Sequence, residues 1–295
     1  MTILEKSLAS GIPLHKGALI AMLVAGSVVQ SVAQIYTLSA RNTSVQITDS
    51  GASSGLSDWL INGVNQLNQQ WFYYSIGSGA VNSIDTISSP SAPVLGGSSK
   101  SPTFTTTYSD TAISVSPTFT LGSSLVGSST ATLGTTITIN NPSASTQTYH
   151  FYQFSDFYLG GVSGNQSVQF TANGLGSFNV VQTSLTGASL VGTISAISGG
   201  ASDTTEVEAG IGTTFGLVNG NPAPMFNDSP LSAGPGNVVF AYEWDATVVS
   251  GGSVTISEIQ SVPEPFSVTL ISSGLVALAV LSWRRQAAQL SFIHK

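Results

Sequence analysis

The stretch NVVFAYEWDATVVSGGSVTISEI, Asn237 to Ile259, alternates apolar and polar side chains with a period of two. Val238, Phe240, Tyr242, Trp244, Ala246 and Val248 fall on one face, with Glu243, Asp245 and Thr247 on the other. Successive side chains of a strand point to opposite faces, whereas a helix needs apolar residues three and four apart. The pattern is that of a half-buried strand. Ser250 to Ser253, SGGS, predicts a hairpin turn into the next strand, VTISEI.

The same period runs through the chain from Thr103 to Gln260. TTITINN places Ile137 and Ile139 on one face, NPSAST reads as a turn, and Thr148 to Leu159 form a long aromatic strand. SVQFTA turns Val168 and Phe170 inward, and FNVVQTSLTGASLVGTISAI supplies two short strands across a glycine turn. Nearer the N-terminus, Gln34 to Gly55 read as a short strand and a loop. Ser57 to Gly79 are ambiguous: Leu60, Val64, Leu67 and Trp71 have helical spacing, yet Trp71 to Ile76 have the aromatic density of a strand. Ser88 to Thr103 are punctuated by proline and glycine and read as a loop. No fixed repeat period is present. The expected fold is all-β, an antiparallel β-sandwich ectodomain over residues 34–260.

Composition fits a folded, exported domain. Charged residues make up 7% of the 295 and hydrophobic residues 41%, so a core can form. With no cysteine, disulfides and thiol chemistry are excluded. Between Gln34 and Val262, two basic residues, Arg41 and Lys100, stand against twelve Asp and Glu. Such a surface repels phosphate backbones, and nucleic acid is not an expected partner.

Both ends of the chain point to a membrane. Lys6 and Lys16 precede the apolar run Gly17 to Val29, and Ser31-Val32-Ala33 offers small residues for cleavage. Residues 1–33 therefore read as a secretory signal peptide with an N-terminal signal helix. Near the other end, Phe266 to Trp283 are 18 residues without a charge. As a helix they span about 27 Å, close to the ~30 Å thickness of the hydrocarbon core. Pro263 and Pro265 keep the preceding backbone extended, and Arg284 and Arg285 form a cytoplasmic stop. The expectation is a C-terminal transmembrane helix over 266–283 and a cytoplasmic tail over 287–295.

The order VPEP, apolar helix, RR resembles the PEP-CTERM sorting domain of Gram-negative bacteria; the match covers Val262 to Arg285 within a signal spanning 261–286. The resemblance implies that Pro263, Glu264 and Pro265 are the recognition step of an exosortase. The helix, with Arg284 and Arg285, is then a handle for delivery to the cell surface or the extracellular matrix. The resemblance also makes the membrane and exopolysaccharide candidate partners. This chain continues for ten residues beyond the arginine pair, QAAQLSFIHK. FSDFYLGG (Phe154 to Gly161) and FAYEWDATVVSGGS also look like stretches of other proteins sorted in this way, and no activity comes with them.

Candidate chemistry is thin. His150 is the sole histidine of the exported region and lies within the aromatic strand TYHFYQF, where a core or sheet-surface histidine is expected. One histidine and no cysteine exclude the usual His/Cys zinc sites, and no nucleophile-elbow spacing accompanies any serine. Glu206 with Glu208, and Glu243 with Asp245, share strand faces. The plain reading is a solvated face; the alternatives are oxygen ligands for calcium or the carboxylate pair of a glycosidase. Asn42, Asn165 and Asn227 fit N-x-[ST], and no role follows from that. Tyr152 and Tyr158 suggest a sugar-stacking platform, against the commoner reading of core aromatics. The expectation is a non-catalytic exported surface or matrix protein with no catalytic, cofactor or metal residues. The alternatives are a carbohydrate-binding or carbohydrate-modifying sandwich and an unprocessed single-pass anchored protein.

Overall fold

The computed structural model describes residues 33–123, 130–174, 177–185, 187–194, 201–211 and 225–263. Its first strands are β1 (Ile35–Ala40), β2 (Thr43–Thr48), β3 (Gly55–Ile61), β4 (Val64–Asn65), β5 (Leu67–Ile76) and β6 (Asn82–Ser83). Next come β7 (Val94–Ser98), β8 (Ser101–Thr105), β9 (Tyr108–Ser109), β10 (Ser114–Ser123), β11 (Thr130–Asn140) and β12 (Gln147–Phe157). The last are β13 (Gln166–Gly174), β14 (Ser177–Ser184), β15 (Ser189–Ile194), β16 (Ala201–Ile211), β17 (Ser232–Gly236), β18 (Val238–Val248) and β19 (Ser253–Pro263). They form two antiparallel sheets. One has the order β1-β2-β3-β5-β12-β18-β16, with β4 on β3 and β6 on β5. The other has the order β17-β13-β14-β15-β19-β11-β10-β8-β7, with β9 on β10. The expected all-β, antiparallel, two-sheet architecture is what the described residues adopt.

Among the described residues no helix is long and apolar enough to cross a membrane. Residues 1–32 of the expected signal peptide, the span 266–283, and Glu264, Pro265, Arg284 and Arg285 lie outside the described residues. Pro263 lies inside them as the last residue of β19, opposite Thr130.

Several local expectations are corrected. SGGS does not close a hairpin: β18 lies in the first sheet and β19 in the second, so the turn is an arch between layers. Both strands turn an apolar stripe to the same interior, and alternation alone cannot tell an arch from a hairpin. The loop expected over 88–103 contains β7 and the start of β8, joined by a tight turn at Ser99-Lys100, and Gly97 adopts φ +77° within β7. Gln34 to Gly55 hold two strands rather than one, and the helical spacing around Leu60 is cut by the left-handed Asn62-Gly63 turn.

Aromatic rings from both sheets fill the interior. Phe72 on β5 stacks on Phe151 of its neighbour at 5.8 Å and on Phe119 of the opposite sheet at 6.0 Å. Phe170 of the second sheet meets Tyr242 edge-on at 5.5 Å and Phe240 at 5.8 Å. Offset and edge-on contacts are the arrangements that ring quadrupoles favour.

A polar cluster sits in this interior. Glu258 on β19 is 2% exposed, and its carboxylate accepts from Gln153 Nε2 and Gln260 Nε2 at 2.8 Å and from Gln70 Nε2 at 3.4 Å. Burial pushes its pKa up to about 7, and the three amide hydrogen bonds act in the opposite direction.

The β11–β12 connection also crosses between the sheets, and this arch is tied to the β18–β19 arch. Asn141, at the end of β11, donates its backbone N–H to Gly252 O and accepts from Gly251 N–H. Its buried amide donates to Ser145 O and Val248 O, each at 2.8 Å. Gly251 takes φ +71°, which only glycine adopts freely.

Candidate functional site

Register decides which polar side chains share a face. On the outer surface of the first sheet, His150 of β12 stands opposite Ser75 of β5 and Asp245 of β18. Two residues along, Tyr152 stands opposite Tyr73 and Glu243, and Glu243 stands opposite Glu206 of β16. Two-residue alternation sends the neighbours Tyr149, Phe151, Tyr242 and Trp244 into the core. The charges are therefore drawn from three adjacent strands onto one patch.

His150 Nδ1 lies 2.5 Å from Asp245 Oδ1 and 3.5 Å from Glu243 Oε1. The hydrogen bond to Asp245, then that to Glu243, raise its pKa to about 10 against the opposing effect of burial. At neutral pH the ring is an imidazolium whose Nδ1–H donates to Asp245. Burial, followed by the charges of Glu243, Asp245 and Asp228, raises the pKa of Glu206. Burial and then Glu243 raise that of Glu208. The Tyr152 phenol is pushed up by burial and by the charge of Glu243.

Part of this patch is covered. Phe226 donates its backbone N–H to Glu243 Oε2 at 2.6 Å, and its ring meets Tyr152 edge-on at 5.9 Å. Tyr152, Phe154, Phe226, Val239 and Ala241 make a small apolar cluster on this face, separate from the main core. The same segment runs along the edge of β16: Asp228 accepts from Val207 N–H and Pro230 O from Ala209 N–H. An exposed strand edge is thereby satisfied. His150 and Asp245 stay partly open, with 14% and 18% of their side-chain surface accessible.

The expected solvated face is thus corrected at Glu243, which is 1% exposed because Phe226 lies over it. Glu206 and Glu208 are half-buried on the same face. The two carboxylate pairs read from the sequence converge on one patch. Tyr152 is wholly buried and Tyr158 half-buried, so the two do not form an open stacking platform. Phe226 gave no signal in the sequence, since it follows a run without periodicity. An imidazole held between carboxylates can donate and accept protons at hydroxyl groups, and the same nitrogen and oxygens suit a cation.

No family model matches the chain, and no curated protein matches it. Among solved structures, the chain is similar to a bacterial glucoamylase complexed with acarbose, at 12% identity and a TM-score of 0.46. That match covers 78% of this chain and 32% of the other, so the chain spans about a third of the glucoamylase. It is also similar to a galactose mutarotase-like protein from Lactobacillus casei ATCC 334, at 8% identity and a TM-score of 0.43, covering 78% and 100%. A third similar structure, from Escherichia coli K12, is assigned as an aldose 1-epimerase, at 11% identity and a TM-score of 0.40, covering 79% and 99%. The activities in these names belong to those proteins, and the likeness is one of sheet architecture at most.

The expectation that the chain is not an enzyme is withdrawn here; the similar structures bear the names of sugar-active enzymes, names that are theirs alone. The carboxylates are not dispersed over solvated strands, nor is His150 isolated: register gathers them in one patch.

Proposed function

We propose that this is an exported carbohydrate-binding or carbohydrate-modifying β-sandwich protein, whose site is the outer face of the first sheet around His150, Asp245, Glu243 and Glu206. The observation that carries this reading is the His150 imidazole between two carboxylates, within 2.5 Å and 3.5 Å of their oxygens, at the open margin of an otherwise covered patch. Sugars offer neighbouring hydroxyls that both donate and accept. A charged donor flanked by charged acceptors satisfies that pattern with strong, charge-assisted hydrogen bonds. The same pair is suited to moving a proton on and off a sugar oxygen.

Delivery belongs to the same proposal. Pro263, Glu264 and Pro265, followed by the apolar run and Arg284-Arg285, would be handled by an exosortase-type enzyme in the inner membrane. The domain is then carried to the cell surface or the exopolysaccharide matrix. Mass spectrometry of the mature C-terminus tests this part: a chain still ending in SFIHK in the surface fraction removes the processing step.

The sugar reading is tested by glycan-array binding, together with polarimetry on glucose and galactose anomers and hydrolysis assays on maltooligosaccharides. Wild-type binding or turnover that falls about a hundredfold in Asp245→Asn and His150→Ala supports the reading. A wild-type chain with neither binding nor turnover on any of these overturns it.

A further inference from the structure

We propose that His150, Glu243 and Asp245 form a binding site for one divalent transition-metal ion, with Glu206 as an additional carboxylate on the same patch. One ligand atom from each of the first three lies within 4.8 Å of the others. Ligands to a shared ion, at bond lengths near 2.1 Å, stand roughly 3–4 Å apart. The 3.5 Å between His150 Nδ1 and Glu243 Oε1 fits that spacing, and the 2.5 Å contact to Asp245 needs to open by about half an ångström.

A second, independent observation is the state of the carboxylate oxygens. Glu243 is 1% exposed, yet among the described residues its Oε1 receives no well-formed hydrogen bond, the nearest nitrogen being His150 Nδ1 at 3.5 Å. Glu206, opposite it in register, likewise holds a buried Oε2 without a donor among the described residues. Buried carboxylate oxygens are ordinarily satisfied, because leaving one bare forfeits its hydration without return. Two such oxygens on one patch leave acceptor capacity that a cation fills.

Among the described residues, no lysine or arginine near the patch supplies that positive charge. Arg41 lies in the β1–β2 turn and Lys100 in the β7–β8 turn, at the edges of their sheets farthest from β16 and β17. The single imidazole cannot balance three carboxylates. The donor set also selects the ion: calcium and magnesium favour all-oxygen cages, while one imidazole nitrogen with carboxylates suits Mn²⁺ or Zn²⁺. On coordination the ion takes the place of the Nδ1 proton, which leaves to solvent. His150 and Asp245, the two partly accessible members, give the entry side. This site stands whether or not the protein takes a sugar.

The test uses the full chain in mild detergent, stripped with a chelator and titrated with Mn²⁺, free ion being read by electron paramagnetic resonance. One ion per chain is expected, displaced by Zn²⁺. Asp245→Asn and Glu243→Gln are each expected to weaken binding by about tenfold or more while retaining the wild-type circular dichroism. No uptake at millimolar Mn²⁺, or equal affinity in a folded Asp245→Asn variant, overturns the site. Asp245 is partly exposed at the margin, so its variant remains informative where Glu243→Gln fails to fold.

Discussion

Gln153 and Glu258 meet across the sandwich interior, the amide of one sheet donating to the carboxylate of the other at 2.8 Å, 105 residues apart in sequence. Gln70 and Gln260 converge on the same carboxylate. Three amides in place of a cation make this an uncompensated buried charge whenever Glu258 is ionised. The Tyr242 hydroxyl, which the Glu258 charge also influences, is buried and, among the described residues, unpaired.

Stability is therefore expected to fall as pH rises through neutrality. The folded-state pKa of Glu258 is about 7, above the ordinary 4.5, so the folded protein holds this proton more tightly than the unfolded chain. The contribution is fully present below pH 4.5 and is lost as pH climbs through 7. It amounts to roughly 3 kcal/mol between pH 5 and 8. Glu258→Gln keeps the shape and removes the charge, so its denaturation midpoint should fall less steeply than that of the wild type over that window, His150 still contributing a decline above pH 6.5, and should exceed the wild-type value at pH 8. A wild-type-like pH profile in Glu258→Gln would refute the assignment.

The lashed arches give a second prediction. Asn141→Ala removes two amide donations, leaving Val248 O short of a partner and Ser145 O with Ser143 Oγ alone, at an expected cost of about 2–3 kcal/mol. For a domain of this size the thermal midpoint drops by roughly 5–10 °C. Thermal unfolding by circular dichroism reads it. A change below about 2 °C would mean that the arches hold without this residue.

Much of the fold was legible because strand period is written directly in the side chains. Val168, Phe170, Ile137 and Ile139 lie in the core as alternation requires, and so does the Phe240-Tyr242-Trp244 stripe. Pairing partners were not legible. SGGS carries the same turn chemistry in a hairpin and in an arch, and the choice depends on which sheet the next apolar stripe completes. The site was half visible: Glu206, Glu208, Glu243, Asp245 and His150 were all noticed in the sequence. Their convergence depends on β12, β18 and β16 lying side by side, a long-range fact that local spacing does not carry. Glu258 was hidden by its own pattern, since a glutamate on an inward position reads locally as an error in alternation.

Phe226 is expected to hold the cover over Glu243. Phe226→Ala removes the edge contact with Tyr152 and opens the small outer cluster, at an expected cost of roughly 2–3 kcal/mol. The backbone hydrogen bond to Glu243 belongs to residue 226 whatever its side chain, so the loss isolates the ring. Guanidinium unfolding measures it. A loss below about 0.5 kcal/mol would show that the segment is held by its contacts to β16 alone.

The last strand sets where the chain can be cut. β19 lies between β15 and β11, pairing with both, and sends Val254, Ile256 and Val262 into the core. Its pairing runs to Pro263, so the folded domain extends three residues past the boundary expected at 260 and reaches the first residue of the Pro-Glu-Pro step. A chain ending at Pro263 retains all eleven residues of β19 and should unfold at the midpoint of the full-length protein. A chain ending at Gly252 loses a central strand, exposes two sheet edges and opens the floor beneath Tyr242. It should fail to give a cooperative transition. Circular dichroism melts of the two truncations decide the matter. Cooperative unfolding of the shorter chain would show that β19 is dispensable, and equal instability of the longer one would place part of the fold beyond Pro263.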